Sequence, residues 1–204
     1  MSLTTQGLLA ELDTTLPQAT ESWRCAALRL ITDLFVASAE NYNDEQVALF
    51  GEVIGRLIPN TARLQLAELS NLLAKAPSAP VNVVGLLARH IDIAVCGPVL
   101  ERAAALPDND LVQIADSDRT NMTMLMKIAA RPQLSEAVTD VLLKRGNRNV
   151  QRTVIDNTKA RVSETGFARV IMGLNGDKEL AAAIAARNDV PPELRPWLVE
   201  ALAE

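Results

Sequence analysis

Few residues in this chain carry the side chains that catalysis requires. Its 204 residues include one histidine, His90, so a zinc site with several imidazoles or a conventional triad has at most one candidate. His90 lies beside Arg89 at the end of a predicted helix, where a cation complements the helix dipole. The two cysteines, Cys25 and Cys96, lie within apolar helical patterns, which is typical of buried thiols rather than of a disulfide or redox pair. We therefore expect no metal and no cofactor.

Phosphate-binding and carboxylate chemistry also lack a convincing pattern. The segment 173–178, Gly-Leu-Asn-Gly-Asp-Lys, has neither the spacing of a phosphate-binding loop nor a preceding strand. A helix end, a turn and a helix-capping Asp177 account for it. Adjacent carboxylates such as Asp44 and Glu45 do not face one another on a helix. The sequence thus predicts a protein that is not an enzyme.

A basic island, defined as residues 119–169, is the strongest surface signal. It holds 10 basic and 4 acidic side chains, a net charge of +6, whereas residues 1–118 carry −8 and residues 170–204 carry −3. The cations around its central turn and in the next loop are Lys144, Arg145, Arg148, Arg152, Lys159 and Arg161. Stacked repeats could bring them together on one edge, where they would attract an acidic protein or phosphates. A solvated face with no partner is the alternative interpretation.

Three polar residues recur at equivalent places in the second half of the chain. Arg131, Asn157 and Arg187 are 26 and 30 residues apart, and each closes a predicted helix that is followed by a second one. Arginine complements exposed helix-end carbonyls, and asparagine tolerates the left-handed capping conformation. The functional alternative is that Arg131 and Arg187 line a groove and bind an acidic partner.

The elements that position these residues are predicted to be helices almost throughout, about ten in number. Apolar residues recur at helical spacing, and in the long helix after Pro17 they form one stripe. That stripe consists of Trp23, Ala27, Leu30, Ile31 and Leu34. Asn43 and Gln46 form a capping box before the next helix, which Pro59 and Asn60 end. The proline-rich stretch 76–80 cannot continue a helix, so it is the predicted domain boundary.

Composition supports the same fold class and a cytoplasmic location. Hydrophobic residues make up 49% of the chain but aromatic residues only 3%, which favours close helix packing over an aromatic-rich sheet. Residues 1–13 lack a basic segment followed by an apolar one, and no run approaches the ~20 apolar residues of a membrane span. The chain is long enough to form a core without disulfides or metal.

The order of several short motifs in residues 40–200 supports a family resemblance. These motifs include Leu106-Pro107-Asp108-Asn109-Asp110-Leu111, Ile128-Ala129-Ala130-Arg131, Val138-Thr139-Asp140 and Arg145-Gly146-Asn147, followed by Asn157 and Ser163. The pattern resembles a family of uncharacterised proteobacterial proteins with HEAT-like, leucine-rich-variant-like helical repeats. The resemblance implies the fold and carries over no catalytic residue.

Together these patterns predict an all-α protein in which a helical segment (1–76) precedes a right-handed, solenoid-like stack of HEAT-like helix pairs (81–204), or joins it in one continuous domain. Extended repeat surfaces bind other macromolecules, so we expect a protein-interaction adaptor with an unidentified, acidic partner. A nucleic-acid binder using the basic island is the alternative, although Phe167 is its only aromatic residue. Exposed end faces of such a stack also permit homo-oligomers.

Overall fold

The computed structural model describes residues 5–203, and helices are the main regular elements in that range. The predicted all-α class is confirmed; the only β-type pairing among these residues is an isolated bridge between Leu134 and Ala160. They form 13 α-helices, more than the ten or so expected, and several are only 8 residues long. Residues 1–4 and 204, which begin and end the predicted domains, lie outside the described residues.

The chain forms two compact units that divide between Pro107 and Asp108. The first unit contains six α-helices in its described part: α1 (Thr5–Thr15), α2 (Glu21–Ser38), α3 (Asp44–Leu57), α4 (Arg63–Leu73), α5 (Val81–Ala88) and α6 (Ile93–Arg102). Helices α2, α4 and α6 contact one another in that order, and α1, α3 and α5 do the same. Successive helices therefore alternate between two rows.

The proline-rich stretch lies inside this first unit, whereas the sequence predicted a domain boundary there. It interrupts the helices as expected, but Ala76, Ala79 and Pro80 are buried. Helices α5 and α6, which follow it, pack against α3 and α4. The compact unit therefore continues past residue 80 and ends about 27 residues later, at Pro107.

Local capping determines where the helices of unit 1 begin and end. The predicted capping box before α3 is present: the Gln46 amide donates to Asn43 Oδ1 at 2.9 Å, and the Asn43 amide donates to Gln46 Oε1 at 3.0 Å. After α3, Asn60 adopts a left-handed conformation with φ of 61°, which reverses the chain before α4. Capping patterns thus predict the start and end of this helix correctly.

The inner side of α2 anchors this helix to its neighbours. Leu28, Thr32 and Phe35 are buried, and the Thr32 hydroxyl donates to the Leu28 carbonyl at 2.7 Å. The Phe35 ring meets Phe50 of α3 edge-on, with ring centroids 5.3 Å apart, and Tyr42 lies beside the same ring. These contacts fix which side of α2 faces the core and which side faces away from it.

The second unit contains seven α-helices in its described part: α7 (Asp108–Asp116), α8 (Met122–Ala129), α9 (Glu136–Arg145), α10 (Arg148–Asp156), α11 (Glu164–Met172), α12 (Lys178–Ala185) and α13 (Arg195–Ala203). Helices α7, α9 and α11 contact in sequence, as do α8, α10 and α12, and α13 packs on α12. Unit 2 therefore has the same alternation between two rows as unit 1.

Hydrogen bonds tie consecutive loops of unit 2 together. The Arg161 amide donates to the Leu134 carbonyl at 2.9 Å, and the Thr139 hydroxyl donates to the Arg161 carbonyl at 2.7 Å. Asp177 caps α12 as predicted, because its Oδ1 accepts from the Leu180 amide at 2.8 Å. The loop that contains Arg161 is therefore tied to α9 and to the residues just before it. None of the helices described for residues 5–203 combines the length and apolarity needed to cross a membrane.

The three candidate chemical residues of unit 1 occupy structural positions. His90 lies beyond the end of α5, and its Nδ1 accepts from the Asp92 amide at 3.0 Å. It therefore lies in the turn between α5 and α6. Both cysteines are free thiols; Cys96 is buried, which raises the pKa of its thiol, and Cys25 is half-buried.

Candidate functional site

Cations of the basic island at the end of α9 lie beside a carboxylate from α7. Lys144 Nζ is 3.8 Å and Arg145 Nη1 is 4.0 Å from Asp116 Oδ1. Both residues lie in the last turn of α9, where the helix dipole also favours positive charge. Half of the Asp116 side chain is exposed, so these are surface ion pairs that contribute little to stability. They nevertheless reduce the local positive potential.

Two arginines of α10 are engaged by the segment around the start of α12. Arg148 Nε is 2.9 Å from Asp177 Oδ2, and its Nη2 donates to the Leu174 carbonyl at 2.6 Å. Arg152 Nε is 2.8 Å from Asp156 Oδ2, and its hydrogen bond to that carboxylate raises the pKa of Arg152. Its Nη1 also lies 3.9 Å from a carboxylate oxygen of Glu179. Each of these cations therefore has an acidic neighbour within unit 2.

Two further cations of the island, Lys159 and Arg161, lie near the other end of α9. Arg161 Nη2 is 2.8 Å from Glu136 Oε1, at the start of that helix, and Lys159 is exposed in the same loop. Glu136 and Arg145 are the first and last of the ten residues of α9, a rise of about 13 Å along the helix. The structure therefore does not bring the basic island together on one edge, because loops that follow successive helices fall at opposite ends.

Arg187 lies inside unit 2, where its five guanidinium donors meet five acceptors. Nη1 donates to the carbonyls of Ile155 and Asn157, at 3.0 and 2.8 Å. Nη2 donates to the Ala160 carbonyl at 2.8 Å, and the Asp189 carboxylate accepts from Nε and Nη2. The side chain is 4% exposed, so Arg187 offers a partner no free donor.

The repeated polar positions link consecutive helix pairs. Asn157 Nδ2 donates to the Arg131 carbonyl at 2.9 Å, one repeat earlier, just as Arg187 reaches back to Asn157. The predicted structural role is thus present in a different form: Asn157 has φ of −81° rather than a left-handed conformation, and Arg187 binds carbonyls of the preceding pair. Arg131 is half-buried, and this burial lowers its pKa.

An exposed apolar surface runs along α2 in unit 1. We call it the α2 stripe and define it as Trp23, Leu30 and Leu34, with Ala27 and Ala37 between and beyond them. Trp23 is 44%, Leu30 62% and Leu34 54% exposed. At 3.6 residues per turn, the three large side chains fall within an arc of about 40°. They form a continuous apolar line of about 21 Å from residue 23 to residue 37.

The α2 stripe faces away from α4. Leu28 and Thr32 line a groove of about 430 Å³ shared with Leu69 and Leu72 of α4. These two α2 residues lie roughly 140–180° around the helix axis from the stripe. Helix α2 thus packs on α3 and α4, and its opposite, apolar side stays exposed. A further helix of the same row would pack on this side.

Carboxylates flank the stripe along one side. Asp33 directly precedes Leu34 on α2, and Glu40 lies in the turn after that helix. Both side chains are exposed. Neither carboxylate has an ion-pair partner among residues 5–203. On the other flank, the Arg24 guanidinium donates to the Leu16 carbonyl at 2.5 Å and to the Ala19 carbonyl. Arg29, one turn before Asp33, is also exposed, but it lies about 120° from the stripe axis, at the α4 groove. The charge directly beside the stripe is therefore acidic.

Residues 95–204 match a family described as an uncharacterised protein conserved in bacteria, DUF2336. The match covers more than half of the 204 residues. The chain belongs to the DUF2336 family. No curated protein and no solved structure matches it. The predicted resemblance to an uncharacterised bacterial family is thereby confirmed.

The DUF2336 match includes all of unit 2 and most of α6, but not the α2 stripe. The family part therefore carries the basic residues, whereas the exposed apolar surface lies in the preceding helices. In the sequence, most of the stripe residues predict a helix, but their outward orientation was not predicted. Their spacing was the available signal, because residues 23, 27, 30, 34 and 37 alternate by four and three, the repeat of a helix-pairing seam.

Proposed function

We propose that the protein is a non-enzymatic adaptor that binds another protein through a surface of its helix pairs. The observation that carries this proposal is the α2 stripe, three large apolar side chains that no described helix of unit 1 covers. Surfaces of this kind mark protein contacts because water solvates them poorly, and tryptophan is enriched at such contacts. Nothing in the proposal requires a chemical reaction.

The alternation of helices in two rows supports a further part of the proposal, namely that each unit is built from HEAT-like pairs. In such stacks each pair contacts only its neighbours, and a terminal pair needs a polar outer face or a partner. The outer face of α2 is apolar, which favours a partner. In unit 2, the contacts of Arg187 and Asn157 with preceding carbonyls would keep successive pairs in register.

Binding of nucleic acid through the basic island receives less support from the same geometry. Lys144, Arg145, Arg148, Arg152 and Arg161 each have a carboxylate neighbour, and they lie at different ends or faces of the helices. Phosphate binding would have to displace these carboxylates. A duplex-binding protein would lose affinity steeply with salt, with a log-log slope of about −0.9 per phosphate contacted.

The decisive experiment is a tagged pull-down from native lysate, split into nuclease-treated and untreated halves. We compare the wild type with the double variant Leu30→Asp/Leu34→Asp and with Val199→Asp, which adds a charge at a side chain of similar exposure, 68%, in unit 2. The proposal expects a defined protein that survives nuclease, is retained by Val199→Asp and is lost with the double variant. Recovery of nucleic acid alone, or of proteins that all disappear after nuclease treatment, would refute the proposed adaptor function.

A further inference from the structure

The seam formed by the α2 stripe has the geometry of a helix-binding surface. Positions 23, 27, 30, 34 and 37 follow heptad spacing, with large side chains at 23, 30 and 34 and alanine between and after them. A helix that supplies the same spacing can insert its side chains between these residues. Because α2 runs without a break from Glu21 to Ser38, it presents this seam as one straight element. A partner helix of about 15 residues would match its length.

The charged residues beside the α2 stripe determine which partner helix can bind there. In a coiled-coil pairing, the positions beside the seam set partner choice through ion pairs. On one flank these positions offer Asp33 of α2, followed by Glu40 in the turn after the helix, both without an ion-pair partner among residues 5–203. The cation on the other flank, Arg24, is occupied by backbone carbonyls. A lysine or arginine of the partner would satisfy the carboxylates, whereas an acidic flank would be repelled.

A second copy of α2 does not supply the missing cation. In an antiparallel pairing of two α2 helices that overlaps the whole stripe, Asp33 of one copy would face Ala26 of the other, which offers no charge. In a parallel pairing, Asp33 would face Ser38 of the other copy, which offers no charge. Self-association through this seam therefore leaves its acidic flank uncompensated, and a partner of different sequence is favoured.

We infer that the α2 stripe binds an amphipathic α-helix of another protein that carries apolar residues at heptad spacing and lysine or arginine beside them. This inference rests on the proposed adaptor function and specifies its partner. The partner helix lies along α2 on the side opposite α4, its apolar side chains cover Trp23, Leu30 and Leu34, and its cations meet Asp33 and Glu40. The partner is thus basic at this contact, whereas the basic island had suggested an acidic one.

The test uses two designed peptides and the fluorescence of Trp23. Both peptides are helical and carry Leu at the two seam positions of each heptad and Ala elsewhere; one has Lys and the other Glu at the flanking positions. The chain contains two tryptophans, so the full-length Trp197→Phe variant leaves Trp23 as the only reporter. We expect the Lys peptide to shift Trp23 emission to shorter wavelength and to bind at least tenfold more tightly than the Glu peptide.

Matched variants locate the contact. Leu30→Asp/Leu34→Asp should weaken binding of the Lys peptide at least tenfold, Val199→Asp should leave it unchanged, and Asp33→Lys/Glu40→Lys should reverse the preference between peptides. All of these side chains are exposed, so circular dichroism and thermal unfolding should match the parent protein. Equal affinity for both peptides, or an unchanged preference after charge reversal, would overturn the inference.

Two outcomes separate this inference from the adaptor function. If sedimentation without peptide reveals a dimer that Leu30→Asp dissociates, a second copy occupies the stripe and the basic-helix inference is wrong. If the Lys peptide fails to bind while the lysate still yields a protein that the double variant loses, the adaptor function stands and only the partner chemistry fails. Loss of the adaptor function itself would appear in the pull-down alone, as the absence of a nuclease-resistant partner.

Discussion

The two units of this protein build the same alternation of helices but differ in how far their charged side chains are compensated, in the basic island of one unit and beside the α2 stripe of the other. In unit 2, arginines bind carboxylates and backbone carbonyls of neighbouring helix pairs, so the most basic part of the sequence has much of its charge compensated. In unit 1, the outer side of α2 leaves Leu30 and Leu34 exposed beside two unpaired carboxylates. A surface available to a partner is therefore better located by missing contacts than by net charge.

The physical reason lies in how stacking brings distant residues together. Asp116 and Asp177 lie outside the stretch 136–161 that contains most of the island's cations, yet they come within 4.0 Å of Arg145 and 2.9 Å of Arg148. Net charge counted over segments of the sequence assigns these carboxylates and cations to different segments, whereas the fold places them side by side. The comparison between the units can be tested by perturbing one side chain in each.

The largest effect is expected for Arg187→Ala in unit 2. The substitution removes the guanidinium hydrogen bonds to three backbone carbonyls, of which, among the described residues, only that of Asn157 keeps another donor, the Ala160 amide, and it removes a buried cation. We therefore expect the free energy of unfolding to fall by about 3–5 kcal/mol. Arg187→Lys should recover only part of this loss, because an ammonium cannot reach five acceptors in one plane. Urea unfolding in a Trp23→Phe background measures the effect, since Trp197 then reports on unit 2.

Arg161→Ala is the matched control for this prediction. The Arg161 side chain is 75% exposed and pairs with Glu136 at the surface, so its loss should cost less than about 1 kcal/mol. If Arg161→Ala and Arg187→Ala destabilise unit 2 equally, the distinction between internal and surface arginines is wrong. Both variants leave the backbone hydrogen bonds of Arg161 in place.

A smaller contrast is expected within α2 itself. Leu28 is 2% exposed and faces α4, so Leu28→Ala should lower the free energy of unfolding by about 2–5 kcal/mol. Leu30 is two residues away on the exposed side, and Leu30→Ala should change it by less than about 0.5 kcal/mol. Urea unfolding of Trp197→Phe protein, followed by Trp23, provides the measurement. A large loss for Leu30→Ala would mean that the stripe is covered in the isolated protein.

The same helix indicates how far sequence reasoning reaches. Helical periodicity and caps predicted α2, the Asn43 box and the Asp177 cap, because these depend on residues three or four apart. Apolar spacing did not distinguish the buried side at Leu28 and Phe35 from the exposed side at Leu30 and Leu34, because α2 is apolar on both. The positions of α3 and α4 decide between them, and these contacts join residues about 15 to 40 apart.

The smallest predicted effect is the pH-dependent contribution of Asp92, the residue that caps the start of α6, to the stability of unit 1. The pKa of Asp92 is lowered, first by the hydrogen bond that its Oδ1 accepts from the Ala94 amide at 2.8 Å and then by the cation of Arg63. A carboxyl whose pKa is lower in the folded state stabilises it above the unfolded pKa, and this contribution disappears as the pH falls through the folded pKa.

Asp92→Asn keeps an oxygen that can accept from Ala94 but removes the charge. We therefore expect the wild type to be the more stable protein at neutral pH. Its advantage should shrink as the pH falls below 3.8, the ordinary pKa of the group, and vanish below the lower pKa of the folded state. Urea unfolding of both proteins in a Trp197→Phe background, at several pH values, measures the difference through Trp23. A constant difference at all pH values would assign the contribution of Asp92 to the shape of its cap, because a charge effect must follow protonation.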